Sequence, residues 1–173
     1  MRNTLKAISL LLITVFILSF SSCLTEEEKI ERTFETELIE LDAFLAKIID
    51  DGYDLDTTEL GVYYLVYEEG EGAYPAEGDE LSIKYTGYFT DGNIFDSTSD
   101  YYADGIWTFK YMDPEVGLIS GMTDGLAIMK KGSKYDLIIP SNLAYGSTGS
   151  GVVPPYTTLI LSIELIDIQL PAE

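Results

Sequence analysis

The sequence predicts an α+β fold: an antiparallel sheet covered on one face by a single short helix, preceded by an N-terminal amphipathic helix. Three patterns carry this. Apolar side chains recur at intervals of three and four between Glu26 and Asp51. From Gly61 onward, apolar and polar residues alternate in runs of strand length. One glycine-bounded stretch, LISGMTDGLAIMKKG, interrupts those runs with helical spacing. Strands, one helix, then strands again is the order of an α+β domain, not of a parallel βαβ fold.

The first helix rests on Ile30, Phe34, Leu38, Leu41, Leu45 and Ile48, with Gly52 as a stop. Thr25 can cap it, and Glu28 three residues on completes a capping box. Such a helix serves as a stalk, as a dimerisation helix that makes a homodimer, or as an arm packed on the domain; a packed arm or spacer is the default. Residues 53–60, YDLDTTEL, read as a polar linker, because the ligand spacing and glycine of a calcium loop are missing. This divides the chain into a leader at 1–22, an acidic helical extension and linker at 23–60, and a domain at 61–173.

Within the domain, GVYYLVYEEGEG and DELSIKYTGYF read as strands, the second placing Leu81, Ile83 and Tyr85 on one face. An Asp-Gly turn in TDGN leads to IFDSTSD and then to IWTFKYM, where Trp107, Phe109 and Tyr111 share a face. The short helix follows, with Leu118, Met122, Leu126 and Met129 on one stripe, Lys130 and Lys131 in its last turn and Gly132 beyond its end. SKYDLIIP and TTLILSIELIDI are the last two strands. Between them lies the loop NLAYGSTGSGVVPP, glycine-rich yet no phosphate cradle, since it runs into a strand instead of a helix N-terminus.

Composition narrows the chemistry. The chain has 173 residues, 46% of them apolar, enough for one domain with its own core. Acidic side chains outnumber basic ones 30 to 10, a formal charge of -20 that repels nucleic-acid phosphate, so no nucleic-acid partner is expected. Histidine is absent. With it go the usual general base and the usual zinc ligand, and neither metal nor cofactor is expected.

Arg2 and Lys6 precede an apolar run from Ala7 to Phe20, too short for a stable membrane span and characteristic of a signal segment. The following FSSC, with Ser21 and Ser22 before the chain's one cysteine, resembles the cleavage box of a bacterial lipoprotein. Cys23 then becomes the first residue of the mature chain and carries acyl chains such as palmitate, and no intramolecular disulfide can form. Cleavage removes two cations, so membrane attachment comes from the lipid and not from charge. The acidic TEEEK just after Cys23 resembles the surface-export signal of some Gram-negative lipoproteins, and it equally suits a first helical turn. The expected location is the cell envelope, lipid-anchored at the outer membrane on its periplasmic or surface-exposed face.

Four blocks, YTGYFTDGNIFDST, LISGMTDGLAIMKKG, IPSNLAYG and VVPPYTTLILSIELI, stand in the order and approximate spacing of the FKBP-type peptidyl-prolyl cis/trans isomerases. The resemblance covers about residues 61–168. It implies a twisted antiparallel sheet wrapped around the short helix, a proline-binding pocket between them, and proline-containing polypeptides as clients. Carried over by motif, Tyr85, Asp96 and Tyr145 are the catalytic positions, and Phe95, Phe109, Leu118, Ile119, Met122 and Leu161 bind substrate. The Tyr145 hydroxyl and the Ile119 backbone N-H are the implied donors to substrate carbonyls, and Asp96 the acceptor that orients Tyr85.

Two departures stand out. Met122 occupies the place of the tryptophan that usually forms the pocket floor, and Leu161 replaces an aromatic expected on the last strand. A catalytically weak or silent FKBP-like chaperone or peptide-binding module is therefore the alternative to an active isomerase. The segment STSDYYADGIW is longer than the family's usual connection, and Trp107 or Tyr102 from it is expected to wall the pocket in part.

Overall fold

The computed structural model describes residues 32–170 of the chain. The signal segment, Cys23, the acidic cluster after it and the Thr25 to Glu28 cap lie outside those residues.

The first helix described, α1 (Phe34–Asp50), begins at a reciprocal cap. The Thr36 amide donates to the Thr33 hydroxyl at 3.2 Å and the Thr33 amide donates to the Thr36 hydroxyl at 2.9 Å. Arg32 and Thr33 are not helical, so the helix expected from Glu26 is not continuous through them, and α1 begins at Phe34. The cause is local: threonine hydroxyls take backbone donors that an uninterrupted helix would keep. Gly52, at φ 88°, ends α1 in the left-handed conformation expected of a stop.

Leu41 and Leu45 are buried against Ile138, with Phe44, Ile48, Leu55, Tyr63 and Ile160 around them. Of the roles open to this helix, the stretch from Phe34 takes that of a packed arm. Its first turn breaks the apolar pattern: Phe34 and Leu38 stay largely exposed, while Glu37 is buried. The stretch expected as a linker also contributes to the sheet, because β1 (Asp56–Thr57) pairs antiparallel with β2 (Tyr63–Glu68).

The remaining strands are β3 (Glu80–Phe89), β4 (Ile94–Ser97), β5 (Trp107–Lys110), β6 (Lys134–Ile139) and β7 (Leu159–Gln169). They form one antiparallel sheet in the order β1-β2-β6-β7-β3-β4, with β5 also on β3. Thus β4 and β5 share one edge of β3, pairing respectively with Thr86 to Tyr88 and with Glu80 to Ile83. Between them the chain leaves the sheet through a 3-10 turn, Thr98–Asp100, and the long connection that follows it.

The second helix, α2 (Ser120–Ala127), packs on the face opposite α1. Strand alternation divides the two faces: Leu137 and Ile139 join the cluster around α2, and Ile138 joins the one around α1. Two glycines bring α2 close. A Cβ on Gly121 would lie 2.3 Å from Ile139, and one on Gly125 would lie 2.1 Å from Leu137. The helix is shorter than expected, ending at Ala127, so Lys130 and Lys131 fall in the turn after it and not in its last turn. That turn is fixed by the Gly132 amide, which donates to the Leu165 carbonyl at 2.6 Å.

Candidate functional site

Tyr85 lies on β3 opposite the gap between β4 and β5, where its backbone has no strand partner on that side. Loop hydroxyls fill the role. The Tyr85 amide donates to the Thr98 hydroxyl at 3.2 Å, and the hydroxyls of Thr98 and Ser97 donate to the Tyr85 carbonyl at 3.3 and 3.4 Å. With its backbone held, Tyr85 donates from its phenol to Asp96 Oδ2 at 2.5 Å. The other carboxylate oxygen, Oδ1, accepts the Ser97 amide at 3.0 Å, which fixes the Asp96 rotamer.

Phe95 reaches the site because Gly87 stands across from it on β3. A Cβ there would sit 2.6 Å from the Phe95 ring, so only glycine lets the ring lie over the strand. Phe89 packs against that ring at a centroid separation of 5.1 Å.

The start of α2 supplies the opposite wall. Leu118 and Ile119 precede the helix, and Ile119 is its N-cap residue in extended conformation. Among the described residues its amide has no backbone or side-chain acceptor, as expected of a donor in the first turn of a helix. Met122 follows one turn later and is buried.

Tyr145 belongs to the loop after β6, which first turns through a 3-10 segment, Ser141–Leu143. The loop closes on itself: Gly146 N-H donates to Ser141 at 2.8 Å, Gly149 N-H to Tyr145 at 3.1 Å, and Tyr156 N-H to Gly146 at 2.9 Å. Gly146 takes φ 56°, and a Cβ on Gly149 would lie 2.4 Å from the Val153 carbonyl. Tyr145 thereby stands at the rim, 37% exposed.

These pieces enclose a cavity of about 100 Å³ lined by Tyr85, Phe95, Asp96, Trp107, Leu118, Ile119, Met122, Tyr145 and Leu161, with Gly117 and Leu159. Its size is about that of three waters, room for one small ring. Burial first, then the hydrogen bond and charge of Asp96, raise the Tyr85 phenol above the usual tyrosine range. Tyr145 is raised by burial and then by the Asp96 charge. Both phenols are therefore neutral donors at physiological pH. The lining combines a few polar groups, the phenols of Tyr85 and Tyr145 and the Asp96 carboxylate, with apolar walls, an arrangement that orients a ligand without attacking it.

A protein-family model, "FKBP-type peptidyl-prolyl cis-trans isomerase", matches residues 72–166. The chain belongs to that family. The FKBP-type 22 kDa peptidyl-prolyl cis-trans isomerase of Escherichia coli is 38% identical over 115 residues, 66% of this chain and 53% of its own. FkpA of Aeromonas hydrophila is 37% identical over 67% of this chain and 41% of its own. The chain thus spans about half or less of the length of these relatives. The crystal structure of FkpA from Escherichia coli superposes with a TM-score of 0.64 at 27% identity, covering 99% of this chain and 72% of that one. A peptidyl-prolyl cis-trans isomerase structure from Pseudomonas syringae gives a TM-score of 0.66 at 28% identity, over 81% of this chain and 98% of that one.

Against this FKBP frame, the cavity brings together eight of the nine residues expected from the motifs. Phe109 is the ninth. It is buried in the core beneath Trp107, the ring centroids 4.4 Å apart, and does not line the cavity. Trp107 takes the lining position, because the long connection delivers it to β3 opposite Ile83, beside the Tyr85 ring at 6.2 Å. Tyr102 does not contribute: it borders a separate groove of about 490 Å³ with Lys84, Ser99 and Ser162. Leu159 and Gly117 escaped the motif reading. The two-residue period of β7 could have found Leu159, which shares a face with Leu161.

Proposed function

We propose that this chain is a peptidyl-prolyl cis/trans isomerase that assists the folding of exported proteins. The observation that carries the reading is the shared cavity: Tyr85, Trp107, Met122 and Tyr145 come from four separate segments and meet around one ring-sized slot. Rotation about an X-Pro bond abolishes amide resonance, against a barrier of about 18–20 kcal/mol, and breaks no covalent bond. No nucleophile is needed, which suits a site without histidine.

A planar amide is more polar than its twisted form. Moving it from water into a slot walled by Phe95, Trp107, Leu118 and Met122 raises the planar ground state relative to the twisted transition state. The Tyr145 hydroxyl and the Ile119 N-H orient the peptide by donating to its carbonyls. Asp96 holds the Tyr85 phenol at 2.5 Å, keeping the far wall in place. Uncatalysed isomerisation takes roughly 10–100 s, slow enough to limit folding, which gives the activity its use.

Met122 in place of an aromatic floor favours one other reading, a peptide-binding chaperone with little turnover, since methionine packs more softly under a proline ring. Cis-to-trans conversion of an X-Pro peptide by the full chain in detergent separates the two. Acceleration abolished by blocking the cavity supports the isomerase; no acceleration with intact suppression of client aggregation supports the chaperone.

Lipid anchoring at Cys23 in the cell envelope belongs to the same reading and rests on the sequence before it. Radiolabelled palmitate should enter the wild-type chain and not a Cys23→Ala variant. Equal labelling of both overturns the anchor.

A further inference from the structure

Glu37 is the one residue of α1 that breaks the helix's pattern of burial: an acidic side chain, 1% exposed, where the apolar stripe leaves Phe34 and Leu38 in solvent. A carboxylate withdrawn from water is tolerated only when its acceptor capacity is filled. Three donors take up most of it. Oε1 accepts the Ser141 amide at 2.7 Å and the Thr158 hydroxyl at 2.9 Å, and Oε2 accepts the Ser141 hydroxyl.

Those donors occupy telling places. Ser141 opens the 3-10 turn before Tyr145, and Thr158 immediately precedes Leu159, which lines the cavity. They are the two stems of the loop that carries the rim tyrosine. From Ser141 the carbonyl accepts Gly146 N-H, and the Gly146 carbonyl accepts Tyr156 N-H. Arg32, just before α1, donates to the Tyr156 carbonyl at 3.3 Å. Ser120, at the start of α2, donates to the Leu143 carbonyl at 3.1 Å, tying this loop to the segment that bears the Ile119 amide.

We infer that Glu37 is a positioning residue for the catalytic rim: the arm helix clamps both stems of the Tyr145 loop and thereby sets where the phenol stands over the cavity. This rests on the isomerase reading for its consequence in catalysis, but the clamp itself is read without any activity. A carboxylate suits the task because it accepts several hydrogen bonds from two segments at once, which no apolar side chain at that position can do.

The test is amide hydrogen exchange on the full chain in detergent, comparing wild type with Glu37→Leu and Glu37→Gln. Leucine removes every acceptor, whereas glutamine keeps Oε1 for Ser141 and Thr158. The Gly146 and Tyr156 amides should exchange about tenfold faster in Glu37→Leu and at nearly the wild-type rate in Glu37→Gln, with Leu161 and Ile163 unchanged in both. Should Glu37→Leu fail to fold, Ser141→Ala with Thr158→Val removes the same hydroxyl donors and must loosen the same two amides. Wild-type exchange at Gly146 and Tyr156, or an increase spread equally over Leu161 and Ile163, overturns the clamp. As a functional arm, Glu37→Leu should lower kcat/KM about tenfold alone and add little in a Tyr145→Phe background. A wild-type chain without turnover defeats the isomerase reading and leaves the exchange result standing.

Discussion

The Tyr85 phenol donates to Asp96 Oδ2 across 2.5 Å, and the same carboxylate lies close enough to raise the phenols of Tyr101 and Tyr145. Burial is the larger cause for Tyr85 and Tyr145, and the Asp96 charge adds to it; for Tyr101 the Asp96 charge is the main cause. Replacing it by Asp96→Asn should bring the Tyr101 and Tyr145 titrations down toward the ordinary tyrosine value, as followed by phenolate absorbance between pH 9 and 12. Unchanged titration midpoints would show that Asp96 does not govern the rim.

An alkaline limb of stability follows from a different phenol. Tyr67, hydrogen-bonded to Asp136 at 2.9 Å, is pushed up to about 12, chiefly by burial and then by that bond. A raised folded pKa means the native state holds a proton that the unfolded chain releases, so the stabilisation is complete below about pH 10 and lost above it. Melting temperatures should therefore fall between pH 10 and 12, and Tyr67→Phe should fall less steeply there. Parallel curves for the two proteins would contradict this.

Tyr145→Phe removes one hydroxyl from a rim residue and nothing from the core. A lost neutral hydrogen bond of about 0.5–1.5 kcal/mol corresponds to roughly a two- to tenfold drop in kcat/KM, with little change in melting temperature. A large thermal loss would mean that the hydroxyl holds the fold and not the peptide.

Two glycines should respond oppositely. Gly125→Ala forces a methyl within 2.1 Å of Leu137 between helix and sheet, so it should cost about 1–3 kcal/mol of stability as measured by denaturant unfolding. Gly87→Ala meets the Phe95 ring at 2.6 Å, and that ring borders a cavity into which it can swing. It should depress activity more than stability, and the reverse ordering would put Phe95 outside the site.

Trp107 is the chain's single tryptophan and lines the cavity against the Tyr85 ring at 6.2 Å. Saturating proline peptide should shift its emission. A spectrum indifferent to peptide would remove Trp107 from the wall.

Most of the sheet was legible because its strands alternate with a period of two, and most of the cavity because four motifs arrive in register with a known family. What escaped were features decided by tertiary context. Glu37 reads as a solvated acidic residue on a helix face; only the approach of Ser141 and Thr158, more than a hundred residues away in sequence, makes it buried. Phe109 and Trp107 share a face of β5, and their spacing alone says nothing about which ring reaches the cavity. The helix start at Phe34 turned on Thr33 and Thr36 forming a cap within a longer amphipathic pattern. Asp56 and Thr57, polar and exposed, gave no apolar alternation by which a strand could be recognised.

The interrupted border of β3 has one more effect. At one side of the sheet the outermost element is two residues long, and at the other it is broken by Ser97 and Thr98, whose hydroxyls occupy the peptide groups of Tyr85. Each margin is thus short or interrupted: β1 covers only Tyr63 and Tyr64 of β2, and the other edge is broken beside Tyr85. Short and broken borders of this kind limit edge-to-edge pairing with other extended chains.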